Sequence, residues 1–213
     1  MAFAAGVMLS ASIIGLIIPA FNDTIGIGVL VPVAGVFVGA ICIALLDRVV
    51  PALCHFAGDF EGAHSERTRG VILFALAIAV HNLPEGIAAG VGFGTGNIAD
   101  ALLIAAGIAL QNIPEGMVLV SPMMSVGIKP RRALLCASLT GVIEIVGTFL
   151  GYFTVRLSAA LLPFLLAFAG GTMLYVISDE MIPEIHTAGA KRNATFALLV
   201  GFALMMILDK ILD

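Results

Sequence analysis

Long apolar runs alternate with short polar connections along the whole chain. Each run is long enough for a helix to cross ~30 Å of hydrocarbon. The runs fall at about 2–20, 27–54, 70–93, 98–122, 132–155, 161–184 and 194–212, which predicts seven membrane spans. The second is the longest, so it is expected to tilt or to extend into water at its end. No run shows the two-residue alternation of a barrel strand. Residues 1–20 lack a basic leader and a small-residue cleavage site, so they read as a membrane helix rather than a signal peptide. The pattern predicts an all-α polytopic membrane protein: one transmembrane domain over 1–213, with a longer loop at 55–69.

Composition supports this reading. Hydrophobic types are 61% and charged types 11% of the chain, too few charges to cover a soluble fold of this size. The net charge of -4 and the absence of a basic, aromatic-bearing patch give no surface for nucleic acid. Cys42, Cys54 and Cys136 show no CxxC spacing, which argues against a disulfide framework or a thiolate site and makes them expected core residues.

Orientation follows from the cations. Arg48, Arg67, Arg69, Lys129, Arg131, Arg132, Lys191 and Arg192 fall on one side, Arg156 and Lys210 on the other. The positive-inside rule makes the first side cytoplasmic, with the N-terminus inside and the C-terminus outside. An inner (plasma) membrane protein is expected.

Against this background the polar residues inside the spans stand out, because an ionisable group in lipid needs a partner, a cavity or an ion. The third span carries His81, Asn82, Pro84 and Glu85 in HNLPEG, and the fourth carries Gln111, Asn112, Pro114 and Glu115 in QNIPEG. His81 and Glu85 share one helical face at i,i+4, as do Gln111 and Glu115. Each proline removes a backbone donor and crowds the carbonyl four residues earlier, and an ion or water can serve a carbonyl so freed. Gly86 and Gly116 would let another helix approach. The fifth span adds Glu144 in an apolar setting. Three such carboxylates can remain charged together around a divalent cation. Single polar residues of this kind also serve as helix-to-helix glue, the ordinary reading of the amides. Oxygen and imidazole donors suit zinc(II), iron(II), manganese(II) or cobalt(II) without selecting among them. Met8 offers a thioether, although methionine in a membrane helix is ordinarily packing. Asp179, Glu180, Glu184 and His186 end the sixth span either as a cation exit or as a solvated helix end. Asp47 reads equally well as interfacial charge. The loop 55–69, with His55, Asp59, Glu61, His64 and Glu66, is a candidate for weak metal handling.

HNLPEG followed about thirty residues later by QNIPEG resembles the ZIP (Zrt/Irt-like) family of divalent metal transporters, particularly its bacterial branch. The resemblance covers essentially the whole chain and implies a ZIP-like helix bundle. Family members have eight helices, and the two motifs lie on the fourth and fifth. GVMLSAS in the first span resembles the family's second helix, so the family's first helix is expected to have no counterpart here. By this resemblance His81, Asn82, Glu85, Gln111, Asn112, Glu115 and Glu144 are implied metal residues. Met8 matches a methionine near the metal in bacterial relatives, and Glu180 a carboxylate near the exit path. Asn112 stands where some relatives carry Asp, which removes a bridging carboxylate from a two-metal centre. The 55–69 loop matches a cytoplasmic metal-binding loop. The resemblance further implies a homodimer, with the motif-bearing helices moving against a scaffold.

The expected function is transport of a divalent cation into the cytoplasm, zinc first, with iron, manganese or cadmium as further candidates. An intramembrane zinc hydrolase is the alternative from another class. It is disfavoured because no HExxH is present and only His81 lies deep in a span. A non-transporting metal-binding or sensor subunit is the other.

Overall fold

The computed structural model describes residues 1–22, 24–56, 66–187 and 191–212. Its helices are α1 (Ala2–Ser10), α2 (Ile18–Asn22), α3 (Leu30–Phe56), α4 (Glu66–Thr95), α5 (Ile98–Ser125), α6 (Pro130–Thr140), α7 (Val142–Leu157), α8 (Leu162–Val176), α9 (Ile182–Thr187) and α10 (Lys191–Leu212). They form seven spans long and apolar enough to cross a membrane. Among the described residues there is no strand. Over the described residues the chain is an all-α bundle of seven spans, as the motif resemblance implies.

Local chemistry explains the connections. Between α4 and α5 only Gly96 and Asn97 intervene. Gly96 turns the chain with a φ of 84°, and the Asn97 side-chain oxygen accepts from the Ala99 N–H at 3.1 Å, capping α5. α6 opens with Pro130, whose fixed φ suits a first helical turn.

Three helix pairs hold the bundle together, and glycine sets the approach in each. A methyl group built on Gly86 or Gly90 of α4 would overlap the backbone carbonyls of Glu144 or Thr148 on α7. Gly147 and Gly151 return the arrangement against Leu83 and Ile87. In the α3–α8 pair, Gly39 meets Phe168 and Gly171 meets Val36. Gly6 and Gly201 do the same between α1 and α10. Without a strong hydrophobic drive between helices in lipid, such backbone proximity supplies the dispersion contact that joins them. The outward faces remain apolar, as at Phe37, Leu45, Phe149 and Phe153.

Several expectations need correction. Gly116 has nothing within 4 Å of its would-be Cβ, so it admits no helix and lines a cavity instead. Cys42 is half-buried and Cys136 exposed, so neither is a core residue. The fifth span is interrupted at Gly141 into α6 and α7. In the first and sixth spans, π turns occupy Ala11–Ile17 and Ile177–Met181. Of the 55–69 segment, 57–65 lie outside the described residues, while 55–56 end α3 and 66–69 begin α4.

Candidate metal centre

The antiparallel packing of α4 and α5 brings the two motifs together in tiers. Gln111 Nε2 donates to Glu85 Oε1 at 2.5 Å. One helical turn along each helix, in the opposite chain direction, His81 and Glu115 line a common cavity. A third element enters at Glu144 of α7, whose Oε1 accepts from Asn112 Nδ2 at 2.7 Å. The α6–α7 interruption sits beside this carboxylate, with the Glu144 N–H bonded to the Gly141 carbonyl. A larger cavity of about 390 Å³ is lined by Asn82, Asn112, Glu115, Gly116 and Glu144, among apolar residues.

The amide nitrogens of Gln111 and Asn112 are therefore satisfied, and four nearby oxygens are not. Glu85 Oε2, Asn82 Oδ1, Gln111 Oε1 and Asn112 Oδ1 are buried and have no hydrogen-bond partner. Glu85 is 2% exposed and Gln111 0%. Leaving such an acceptor unpaired costs about 1–3 kcal/mol each. Glu85, Glu115 and Glu144 also lie within electrostatic reach of one another. Acceptors without donors, crowded with carboxylates, could hold a cation. Oxygen and amide ligands of this kind match a divalent ion.

A second cluster lies on the other side of His81. Its Nε2 is 3.0 Å from Asp47 Oδ1 and 3.2 Å from Glu180 Oε1. The three donor atoms lie within 4.8 Å of one another. His81 is buried, whereas Asp47 and Glu180 are partly open. One N–H can donate to only one carboxylate at a time. With the proton gone, the same nitrogen and both acids offer three ligands to a metal. A small cavity of about 40 Å³, lined by Met1, Met8, His81, Glu115, Glu180 and Met181, lies between this cluster and the first.

Among the residues singled out in the sequence, Glu85, Gln111, Asn112 and Glu144 join through direct hydrogen bonds. Asn82 and Glu115 share the large cavity with the last two. Met8 is buried on the wall of the small cavity. His81 points toward Asp47 and Glu180 rather than into the Glu85–Gln111 pair. Asp47, read as possible interfacial charge, is drawn into a cluster by that ring. The available signal was its position as the sole acid between 30 and 56. Asp179 instead accepts from the Tyr175 hydroxyl at 3.4 Å and is exposed. The side chains of Glu184 and His186 lie outside the described residues.

Fold and site together define a polytopic membrane protein with a partly buried Asp–His–Glu cluster fit for an intramembrane divalent-cation site. A sequence profile described as "ZIP Zinc transporter" matches residues 59–209. The chain belongs to the ZIP zinc transporter family. Among similar proteins, Zinc transporter GufA of Myxococcus xanthus is 42% identical over 176 residues, 83% of this chain and 69% of that protein. Zinc transporter ZIPB of Bordetella bronchiseptica is 38% identical over 97% of this chain and 69% of its own length. Zinc transporter ZupT of Corynebacterium glutamicum is 34% identical, with 96% and 83% covered. Members of the family are transporters rather than enzymes, and the hydrolase alternative is set aside on that ground.

Proposed function

We propose that this chain carries zinc(II) across the membrane into the cytoplasm, using Glu85, Asn82, Gln111, Asn112, Glu115 and Glu144 as its principal site. The observation that carries the reading is the group of four buried oxygens on Asn82, Glu85, Gln111 and Asn112 that no protein donor satisfies. A cation bound among such oxygens takes the place of the missing donors and offsets the mutual repulsion of the neighbouring carboxylates. The names of the relatives support zinc as the substrate.

In this reading the ion enters from outside, exchanges water for the carboxylate and amide oxygens, and then moves one turn inward. Met8, His81 and Glu115 meet it in the small cavity, and Asp47, His81 and Glu180 receive it at the inner end. The concentration of Lys and Arg beside Asp47 and the α5–α6 turn supports placing that end in the cytoplasm, with the N-terminus inside and the C-terminus outside. A negative interior favours inward movement by ~2.3 kcal/mol per charge per 100 mV. Movement of α4, α5 and the α6–α7 span against the other helices, and a homodimer built on those other helices, complete the proposal by family resemblance.

The test is time-dependent zinc accumulation in vesicles reconstituted with the full chain. Wild-type protein accumulates zinc, and Glu115→Ala, inserted to the same level, does not. Uptake by Glu115→Ala at the wild-type rate overturns the site. Zinc binding without accumulation by the wild type points to the non-transporting subunit instead.

A further inference from the structure

The π turn at Ile177–Met181 has a consequence for which cations the passage accepts. Its geometry is fixed by the Ile182 N–H, which bonds to the Ile177 carbonyl five residues back. The cause lies in the next residue: Pro183 has no N–H, and its ring crowds the carbonyl of Asp179. The first span repeats the device, where the Ile18 N–H bonds to the Ile13 carbonyl just before Pro19. A turn widened by one residue changes which side chains share a face. In an ordinary α-helix Val176 would share a face with Asp179 and Glu180, and Met181 would fall away from it. Here Val176, Glu180 and Met181 all line the small cavity. Two consecutive side chains, a hard carboxylate and a soft thioether, thus face the same space. Met8 and His81 line it too, and both Met8 and Met181 are buried.

Resting on the transport reading above, we propose that Met181 is a specificity-determining residue, whose thioether favours borderline and soft divalent cations over hard ones as they pass Glu180. Oxygen donors alone rank zinc, cadmium and manganese poorly, whereas a thioether discriminates in favour of the softer ions. Three thioethers, those of Met1, Met8 and Met181, line the small cavity and give the passage that bias without a thiolate, which would hold the ion too firmly to release it. The sulfur also leaves the charge of the site unchanged, so it tunes preference rather than total attraction.

The experiment is competitive uptake of cadmium, zinc and manganese by vesicles containing the full chain, wild type against Met181→Leu and Met181→Gln. Leucine keeps the volume and removes the sulfur, and glutamine supplies a hard oxygen. In both variants the cadmium-to-manganese uptake ratio is expected to fall several-fold, further for glutamine. In parallel, the NMR resonance of cadmium bound to detergent-solubilised protein moves upfield in Met181→Leu, as loss of a sulfur donor requires and loss of packing does not. An unchanged ratio with an unmoved resonance overturns the proposal. If Met181→Leu fails to insert, Met181→Gln is read by the same two measurements. Wild-type protein that accumulates no metal would defeat the transport reading. The cadmium resonance needs no transport and still decides the donor: movement supports it, and no movement overturns it.

Discussion

The α3–α8 and α4–α7 pairs are joined in the same way and furnished differently. In both, glycines on one helix meet backbone carbonyls of the other, as at Gly39 with Phe168 and Gly86 with Glu144. Along its contact, α3–α8 needs no polar side chain to hold. The buried Thr172 hydroxyl turns back to the Ala169 carbonyl of its own helix at 2.6 Å. On the α4–α7 side, Asn82, Glu85 and Glu144 accompany an equally close approach. The first pair acts as an internal control for the second. Since glycine packing suffices to join two helices here, adhesion does not account for acidic groups in α4 and α7. The amides of α5 do join helices, through their nitrogens on Glu85 and Glu144. Their oxygens, left without donors, are the part that adhesion leaves unexplained.

The sharpest break in this comparison is removal of a carboxylate from the polar pair. Glu85→Ala should lower zinc affinity by about 100-fold or more, beyond the effect of losing a supporting hydrogen bond, as read by equilibrium dialysis. Insertion should persist, because Gly86 and Gly147 still interlock. Next in size is the reverse experiment. Gly39→Leu forces a side chain into the Phe168 backbone and should cost about 1–3 kcal/mol or more of stability. Folded yield falls in a detergent-denaturation assay, while zinc affinity per folded molecule stays at the wild-type value. A smaller effect is expected from Asp47→Asn. Zinc uptake slows several-fold, measured as an initial rate, with equilibrium binding at the Glu85 group unchanged. The smallest belongs to Thr172→Val, whose hydroxyl serves only its own helix. Its stability change should stay under about 1 kcal/mol, with uptake unaltered.

Much of this architecture was legible in the residues, for physical reasons. Apolar length alone announces a membrane span, and all seven predicted spans correspond to helices long enough to cross. The i,i+4 spacing of His81 with Glu85, and of Gln111 with Glu115, places side chains by helical period without knowledge of neighbours. Pairing across helices is another matter. The tilt and register that set Gln111 on Glu85, and turn His81 toward Asp47, come from the packing of three helices, α3, α4 and α5, which no local pattern encodes. Prolines illustrate the same limit. Pro84 lies within an unbroken α4, whereas Pro19 and Pro183 each follow a π turn. The residue type marks a disturbed hydrogen bond but does not say how the helix resolves it. Likewise Gly86 and Gly116 occupy equivalent motif positions, yet one receives a helix and the other opens onto a cavity.

On the proposed function, the acidic and amide oxygens gathered from α4, α5 and α7 hold a divalent ion. The most direct test is the zinc bound per chain at equilibrium in detergent, wild type against the double variant Glu85→Ala/Glu144→Ala. Tight binding by the wild type, lost in a double variant that remains folded, is the predicted result. A folded double variant that binds zinc with unchanged affinity and stoichiometry would contradict the account.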